Sequence, residues 1–424
     1  MRIYEFVADT LQNLGPFEQN PHIAVAVSGG ADSLALVLLT NEWVQSNGGS
    51  LTAITIDHDL RIDSKSEAEF VHAKLTTLGI AHHIIKWEHP NLKGNLQQEA
   101  RNARYKLLTD FCNQQAILHL LIAHHKNDQI ETFFLRLFRG SGLSGLTAMD
   151  KISHLNGVRI LRPLLDLDKE ELVSYLQSQN ENWVEDPSNN NAKFDRIKVR
   201  NFINNQDFLE KSLFNNRIIL AINNLKRAKE TFNCNLNNKI VGVVEISNLG
   251  YAKINIKKFL CLYEEEALKI LARLLDMVGG NCYSPRFKSL QNVYYNIVAN
   301  KTTQNLANAV LTIEDGYLLI YKEIGKKNRK CLIDKTDTYW DNRFKVVFSD
   351  HQLRYLQEND AYIDDLGRQN AKIVLSSDEK LDIIATLPAI YVGSELIAVP
   401  SLNYYCDHFK ELISIYFKPL ITLT

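Results

Sequence analysis

The chain reads as an α/β protein: a doubly wound parallel sheet at the N-terminus, a mostly helical middle domain and a small α+β domain at the C-terminus. Three observations point there. Strand-length apolar runs alternate with helix-length runs over the first two hundred residues, which implies parallel strands joined by right-handed helical crossovers. A glycine-containing turn, Ser28-Gly29-Gly30-Ala31-Asp32-Ser33, joins the first strand to the helix after it. Beyond about Asn215 the alternation stops, and helical segments surround short strands before a strand-rich end. At 424 residues the chain is too long for one core, and the expected domains are 1–215, 216–325 and 326–424.

In order, Met1–Val7 opens an amphipathic helix without the apolar block of a signal peptide. Strands are expected at His22–Val27, Leu51–Ile56, Ala81–Lys86 and Ile117–Ala123, with Arg159–Leu164 a weaker fifth. Helices fit between them at Ser33–Gln45, Ser64–Leu78, Asn95–Asn113 and Asp128–Phe138, the second stopped by Gly79. Later helices fall at Asn216–Phe232, Leu262–Val278 and Ser284–Asn300, with a strand at Val241–Ile246 and a hairpin over Leu311–Tyr321. Lys322 to Lys330 reads as a charged connector, Gly367 as part of a polar turn, and Leu387–Val399 as paired strands about Gly393. Asparagine clusters at Asn189–Asn191, Asn204–Asn205 and Asn215–Asn216 read as polar loops and helix ends.

A content of 45% hydrophobic and 23% charged residues is that of an ordinary soluble globular protein. The net charge of −1 means that a nucleic-acid partner would need locally clustered cations. The six cysteines form no C-x-x-C pair, which argues against a structural zinc site, an iron–sulfur cluster or a disulfide framework. No stretch approaches the ~20 apolar residues that span a bilayer, so a cytoplasmic protein with no membrane partner is expected.

The turn after the first strand carries the strongest chemical signal. A helix N-terminus offers unpaired N–H groups and partial positive charge, and glycines let an anion approach the backbone. Ser28 and Ser33 add hydroxyls, and Asp32 beside bound phosphates suits a bridging magnesium ion. Ser28, Gly29, Gly30, Ala31, Asp32 and Ser33 therefore read as a pyrophosphate cradle; the plainer alternative is a tight turn. It is not the lysine-bearing loop of kinases and GTPases, since no lysine follows.

Further polar bursts fall where a parallel sheet binds ligands, at the carboxyl ends of strands. Asp57 opens Asp57-His58-Asp59-Leu60-Arg61 after the second strand, where the backbone just before it could receive an adenine edge; otherwise Asp57 is a loop cap. After the fourth strand comes His124-His125-Lys126-Asn127-Asp128, with Asn127 the expected N-cap. Asp128 and Glu131 share a face near the positive end of that helix, suited to a cationic substrate or a metal, though dipole stabilisation alone would also place acids there. A zinc site from His124, His125 and Asp128 lacks a full ligand set. Gly140–Leu146 reads as a flexible loop over the site. Arg101 and Arg104 share a helix face, and Arg196 to Arg200 follow Glu185-Asp186-Pro187-Ser188-Asn189; guanidinium groups match phosphates, or simply solvate a surface.

The SGGxDS turn resembles the PP-loop of ATP pyrophosphatases. Together SGGADS (28–33), IDHDLR (56–61), ARNARY (100–105), HHKNDQIETFFLRLFRGSGLSGL (124–146), RPLL (162–165) and EDPSN followed by Arg196 resemble the tRNA(Ile)-lysidine synthetase family over most of the first two hundred residues. Beyond Asn215 the likeness is one of layout. The resemblance implies a PP-loop ATPase domain, with ATP and Mg²⁺ required. The partners it implies are L-lysine and a tRNA(Ile) with a CAU anticodon, whose wobble cytidine is adenylated on its C2 oxygen and then attacked at C2 by the lysine ε-amine. It implies that the cradle and Asp57 bind ATP, that Asp32 places the metal, and that Asp128, Glu131 and Arg196 hold lysine. Arg104 is implied at the activated intermediate or a phosphate, and His124 or a carboxylate as the base. The family usually shows aspartate where this chain has Asn127. Basic clusters Lys226-Arg227-Lys229, Lys257-Lys258 and Lys326-Lys327-Arg329-Lys330 are candidate tRNA contacts. Rival readings are a tRNA 2-thiolase, which would need paired cysteines, a glutamine-dependent ligase, which would need a further domain, and a non-catalytic tRNA- or nucleotide-binding module.

Overall fold

A computed structural model describes residues 3–57, 64–87, 96–184, 195–205, 210–281, 284–325, 329–374, 379–406, 409, 413–420 and 423. Chain contacts divide it into two compact units, Met1–Thr231 and Phe232–Thr424.

The first unit runs α1 (Ile3–Asn13), β1 (His22–Ala26), α2 (Ala31–Ser46), β2 (Ser50–Asp57), α3 (Ser64–Thr77), β3 (Ala81–Lys86), α4 (Leu96–Gln114), β4 (His119–Leu121) and α5 (Lys126–Phe138). It continues through a helical turn α6 (Leu143–Leu146), β5 (Ile152–Leu155), β6 (Val158–Leu161), α7 (Lys169–Ser178), α8 (Asp195–Asn204) and the start of α9 (Lys211–Val243). The strands form one sheet in the order β3-β2-β1-β4-β6-β5. Every pairing is parallel except the edge hairpin of β5 with β6.

The period-two geometry of a strand explains the apolar runs. Along β1, Ile23 and Val25 enter a core with α1, α2, α3 and α7, while Ala24 faces the opposite core with Leu108 and Cys112 of α4. β2 and β4 split in the same way, Ala53 and Leu121 to the first core and Ile54 and Leu120 to the second. Both faces of the sheet are thus covered, as a doubly wound fold requires. Strand order reverses between β1 and β4, because β2 and β3 lie to one side of β1 while β4 and β6 lie to the other. That reversal opens a crevice at the carboxyl edge.

Three local expectations change. The N-cap of α5 is His125, two residues before the expected Asn127. Gly140–Leu146 is tied down: Arg136 donates to the carbonyls of Gly145 and Ala148 at 2.8 and 2.7 Å. Asn215 and Asn216 lie within α9 rather than at its end, and α9 also runs across the expected boundary at residue 215.

In the second unit, α9 continues into β7 (Val244–Ile246), β8 (Ala252–Asn255), α10 (Ile256–Leu260), α11 (Glu264–Gly279), α12 (Phe287–Val298), β9 (Thr303–Leu306), β10 (Ala309–Glu314) and β11 (Tyr317–Lys322). The strands make an antiparallel sheet, β7-β8-β11-β10-β9, under the amphipathic helices α11 and α12. The remainder holds two further sheets. One is β12 (Cys331–Leu332), β15 (Tyr362–Asp365), β16 (Pro388–Val392), β17 (Glu395–Val399) and β18 (Tyr404–Tyr405); the other is β13 (Asp337–Trp340), β14 (Phe344–Val347) and β19 (Ser414–Phe417). Gly393 turns between β16 and β17 with φ +58°. Lys322 is not in a connector: it ends β11, buried, and bonds the Gly279 carbonyl and Asp341. Gly367 opens a helix, Gly367–Val374, rather than a turn. Among the described residues no helix is long and apolar enough to cross a membrane, and the described cysteines are unpaired.

Candidate active site at the sheet switch point

The cradle grows out of β1. Val27 still pairs with β2 through the Ile54 carbonyl at 2.8 Å, and the chain then turns at Gly29 with φ +85°. A Cβ at Gly29 would stand 3.0 Å from Val71 in a backbone region L residues avoid, so glycine is required. The Gly29 carbonyl accepts from the Val184 amide at 2.9 Å, which anchors the turn to the segment after α7. Gly30 caps α2 without a side-chain bond, leaving the first-turn N–H groups free of such a partner. Ser33 is buried; its hydroxyl donates to the Gly30 carbonyl at 3.0 Å and accepts from the Ser28 amide at 3.2 Å. Ser33 shapes the loop from within, while Ser28 is exposed on it.

Asp32 lies in the first turn of α2 with its side chain 28% exposed. One oxygen, Oδ2, stands 3.6 Å from His125 Nε2; the other, Oδ1, is buried and has no hydrogen-bond partner. An orphaned carboxylate oxygen beside an anion-ready turn fits a magnesium ion. Among the described residues no group of three or more His, Cys, Asp or Glu could hold a metal. Magnesium does not call for one, since it takes one or two carboxylates and completes its shell with phosphates and water.

Across the switch point, β4 leads into α5. The His125 ring accepts the Asn127 amide through Nδ1 at 3.2 Å, and the Asp128 carboxylate accepts the His125 amide at 3.1 Å, so cap and acid lock each other. His125 Nε2 is also 3.5 Å from Asp128 Oδ2. Burial disfavours charge on this ring, but Asp32 and Asp128 outweigh it and raise its pKa. Burial would raise Asp128, yet His125, the backbone bond and Arg196 together hold it below the usual carboxylate range.

His124 is pushed down to about 3, chiefly by burial, with Arg162, Arg101 and Arg196 adding to the effect against Asp128. Its Nδ1 is buried and unpartnered. His124 is therefore neutral at physiological pH. Glu131 is almost wholly buried, its side chain 4% exposed, and pairs with Arg200 of α8 at 2.7 Å. Its second oxygen has no partner.

The structure gathers Asp32, His124, Asp128 and Glu131 around the ends of β1 and β4, with Arg196 within electrostatic reach of His124 and Asp128. Asp57 ends neighbouring β2, half-buried, its carbonyl taking the Trp87 amide. Arg104 is exposed on α4; there Arg101 lies over the Tyr105 ring at 5.2 Å and contributes to the field at His124. From the sequence, His125 has no role beyond a zinc ligand, Arg200 is only one of the phosphate-matching arginines after Asn189, and Arg162 has no role of its own. Arg162 is buried and donates to the Asp150 carbonyl and the Ser153 hydroxyl. Their signals were present, in the HHKND and RPLL motifs and the arginines of α8.

The basic clusters fare unevenly. Lys226 donates to the Met149 carbonyl and Lys229 pairs with Asp150. Lys258 donates to the Gly242 carbonyl, while Lys257 is exposed beside it. Arg329 pairs with Asp341 and Asp365, and Lys330 stacks 3.6 Å over Tyr362. Lys326 and Lys327 lie outside the described residues, as do His58 to Arg61 and Glu185 to Asn191.

A family model described as a PP-loop domain matches residues 3–207. Proteins named tRNA(Ile)-lysidine synthase match nearly the whole chain. That of Orientia tsutsugamushi (strain Boryong) is 36% identical, covering 96% of this chain and 96% of its own. That of Wolbachia pipientis wMel is 33% identical over 94% and 93%, and that of Rickettsia felis 35% over 90% and 90%. Likeness of this extent, on a PP-loop whose cradle faces paired acids across the switch point, places the chain in the tRNA(Ile)-lysidine synthase family.

Proposed function

We propose that this protein is an ATP-dependent ligase that joins L-lysine to C2 of the wobble cytidine in a CAU-anticodon tRNA(Ile), in the cytoplasm. The cytidine O2 attacks the α-phosphorus of ATP and pyrophosphate leaves. The lysine ε-amine then attacks C2, the C2–O bond breaks, AMP leaves, and the amine gives up a proton. The observation that carries the reading is the pairing, at one switch point, of an anion cradle bearing Asp32 with a cation-ready pair, Asp128 and Glu131.

Ser28, Gly29, Gly30, Ala31 and Ser33 would cradle the phosphates, and Asp57 would mark the nucleoside side. Asp32 would hold Mg²⁺, which neutralises charge building on the pyrophosphate. Asp128 and Glu131 would bind the ammonium groups of lysine and Arg196 its carboxylate. A carboxylate of the site or His124, whose Nδ1 has no protein partner, would take the proton, and the low pKa of His124 favours a carboxylate. Arg104 would meet the activated intermediate or a phosphate. We assign the body of the tRNA to two later domains, 216–325 and 326–424, whose separate hydrophobic clusters support that division of the second unit.

Incubation with ATP, Mg²⁺, radiolabelled lysine and a panel of tRNAs tests the whole. Label should enter only a CAU-anticodon isoleucine tRNA. Label in none, with ATP consumed, would overturn lysine as substrate.

A further inference from the structure

We propose that His125 is a positioning residue for both half-reactions, one imidazole N–H shared between the metal-side carboxylate Asp32 and the lysine-side carboxylate Asp128. The proposal rests on the site roles given above and adds how the two halves are held in register.

The ring has little freedom. It is 7% exposed, and its Nδ1 accepts the Asn127 amide. In the neutral ring that acceptor role leaves the proton on Nε2. That N–H faces Asp32 Oδ2 at 3.6 Å and Asp128 Oδ2 at 3.5 Å. Both distances exceed a committed hydrogen bond, and they are nearly equal. The N–H thus stands midway between two acids that would otherwise repel each other, within electrostatic reach of both. Asp128 is also fixed by the His125 amide, so the same residue grips it from backbone and side chain.

Topology gives the contact its meaning. Asp32 follows β1 and Asp128 follows β4, neighbouring strands on either side of the switch point. The imidazole ties the first turn of α2 to the first turn of α5, so the phosphate cradle and the amino-acid acid keep one spacing. Asp32 turns Oδ2 to the ring and keeps Oδ1 unpartnered for a ligand. Held this way, adenylation of O2 and amine attack at C2 address the same carbonyl group without either acid swinging away.

Two near-isosteric substitutions separate this role from simple helix capping. His125→Asn places an amide oxygen near Nδ1, keeping the cap and losing the bridge. His125→Gln places an amide N–H near Nε2, keeping the bridge and weakening the cap. In the full chain, His125→Asn should melt near wild type yet raise both the Kd for ATP in Mg²⁺ and the KM for lysine by about tenfold, the scale of one charge-assisted hydrogen bond. His125→Gln should melt lower but stay within about threefold on both constants. Wild-type constants in His125→Asn, a change in only one of them, or equal impairment in both variants would overturn the proposal.

Should neither variant fold, the imidazole ¹⁵N resonances decide. The Nε2 signal of His125 should move in Asp32→Asn and again in Asp128→Asn; movement in only one refutes sharing. Wild-type protein inert toward every tRNA would instead overturn the functional reading, and the ATP-affinity and resonance measurements would still judge His125.

Discussion

Replacing Arg200 by glutamine should cost stability and lysine affinity together, because Glu131 would lose the cation it faces. The Glu131 side chain is 4% exposed and that of Arg200 43%, with 2.7 Å between Oε1 and Nε. Breaking a fully buried pair costs about 3–5 kcal/mol, whereas exposed pairs contribute about 0.2–1 kcal/mol. With one partner buried and the other screened by water, about 1.5 kcal/mol is expected. In a unit of this size that lowers the melting temperature by roughly 3–6 °C. The acid also sets the pocket: an unpaired Glu131 turns toward water and presents its second oxygen, now buried and unpartnered, in the wrong direction. A double-mutant cycle with Glu131→Gln, followed by thermal melting and lysine KM, isolates the pair. A coupling energy below about 0.3 kcal/mol, or a lysine KM unmoved in both single variants, would refute the reasoning.

Asp32→Ala should abolish pyrophosphate release while tRNA binding, measured by filter retention, stays within a factor of about two. Gly29→Ala forces a Cβ to within 3.0 Å of Val71 at φ +85°, and should cost about 1–2 kcal/mol in melting experiments, with ATP affinity falling and lysine KM unchanged. Ser33→Ala leaves the Ser28 amide and Gly30 carbonyl without their shared partner; about 1 kcal/mol of stability and a severalfold weaker ATP affinity are expected by calorimetry. His82 is held down to about 4, first by burial and then by His72 and His83, against 6.5 unfolded. The unfolded chain therefore binds more protons between these values, so the His82 contribution is complete above pH 6.5 and is lost as pH falls toward 4. Denaturant titrations of His82→Gln and wild type should diverge across that window by on the order of 3 kcal/mol, and parallel curves would remove the effect.

Much of the fold was legible because burial on both faces writes strands as unbroken apolar runs. Ala81–Lys86 matches β3 at both ends, and the strands around it differ by a few residues. The β5–β6 hairpin went unread although Asn156-Gly157 at its tip, with φ 50° and 83°, is the dipeptide such turns favour. Lys322 was assigned to solvent because charge usually marks surface. Nothing local announces that Asp341 and the Gly279 carbonyl would satisfy it inside. In the site, the cradle and its acids could be read because each lies within a short contiguous motif at a strand end. The pair of Glu131 with Arg200 spans α5 and α8, and no spacing along the chain encodes which arginine of α8 turns inward. His125 was hidden differently: its position was visible, but its two roles, cap through Nδ1 and bridge through Nε2, exist only once β1 and β4 stand side by side.

That division of labour also explains how the chain tolerates Asn127 where the family resemblance places an aspartate. Position 127 does its structural work through the backbone amide, which the His125 ring accepts, and any side chain can supply that. Its side-chain Oδ1 is buried and unpartnered, as is Asp32 Oδ1. Asparagine thus still offers an oxygen acceptor, but without adding a third negative charge beside Asp32 and Asp128, whose mutual repulsion a single shared imidazole N–H already moderates. A neutral oxygen can complete a magnesium shell or receive an ammonium N–H, at lower affinity than a carboxylate. The geometry that matters is the spacing of Asp32 and Asp128 across the switch point, and the substitution at 127 leaves every contact that sets this spacing in place.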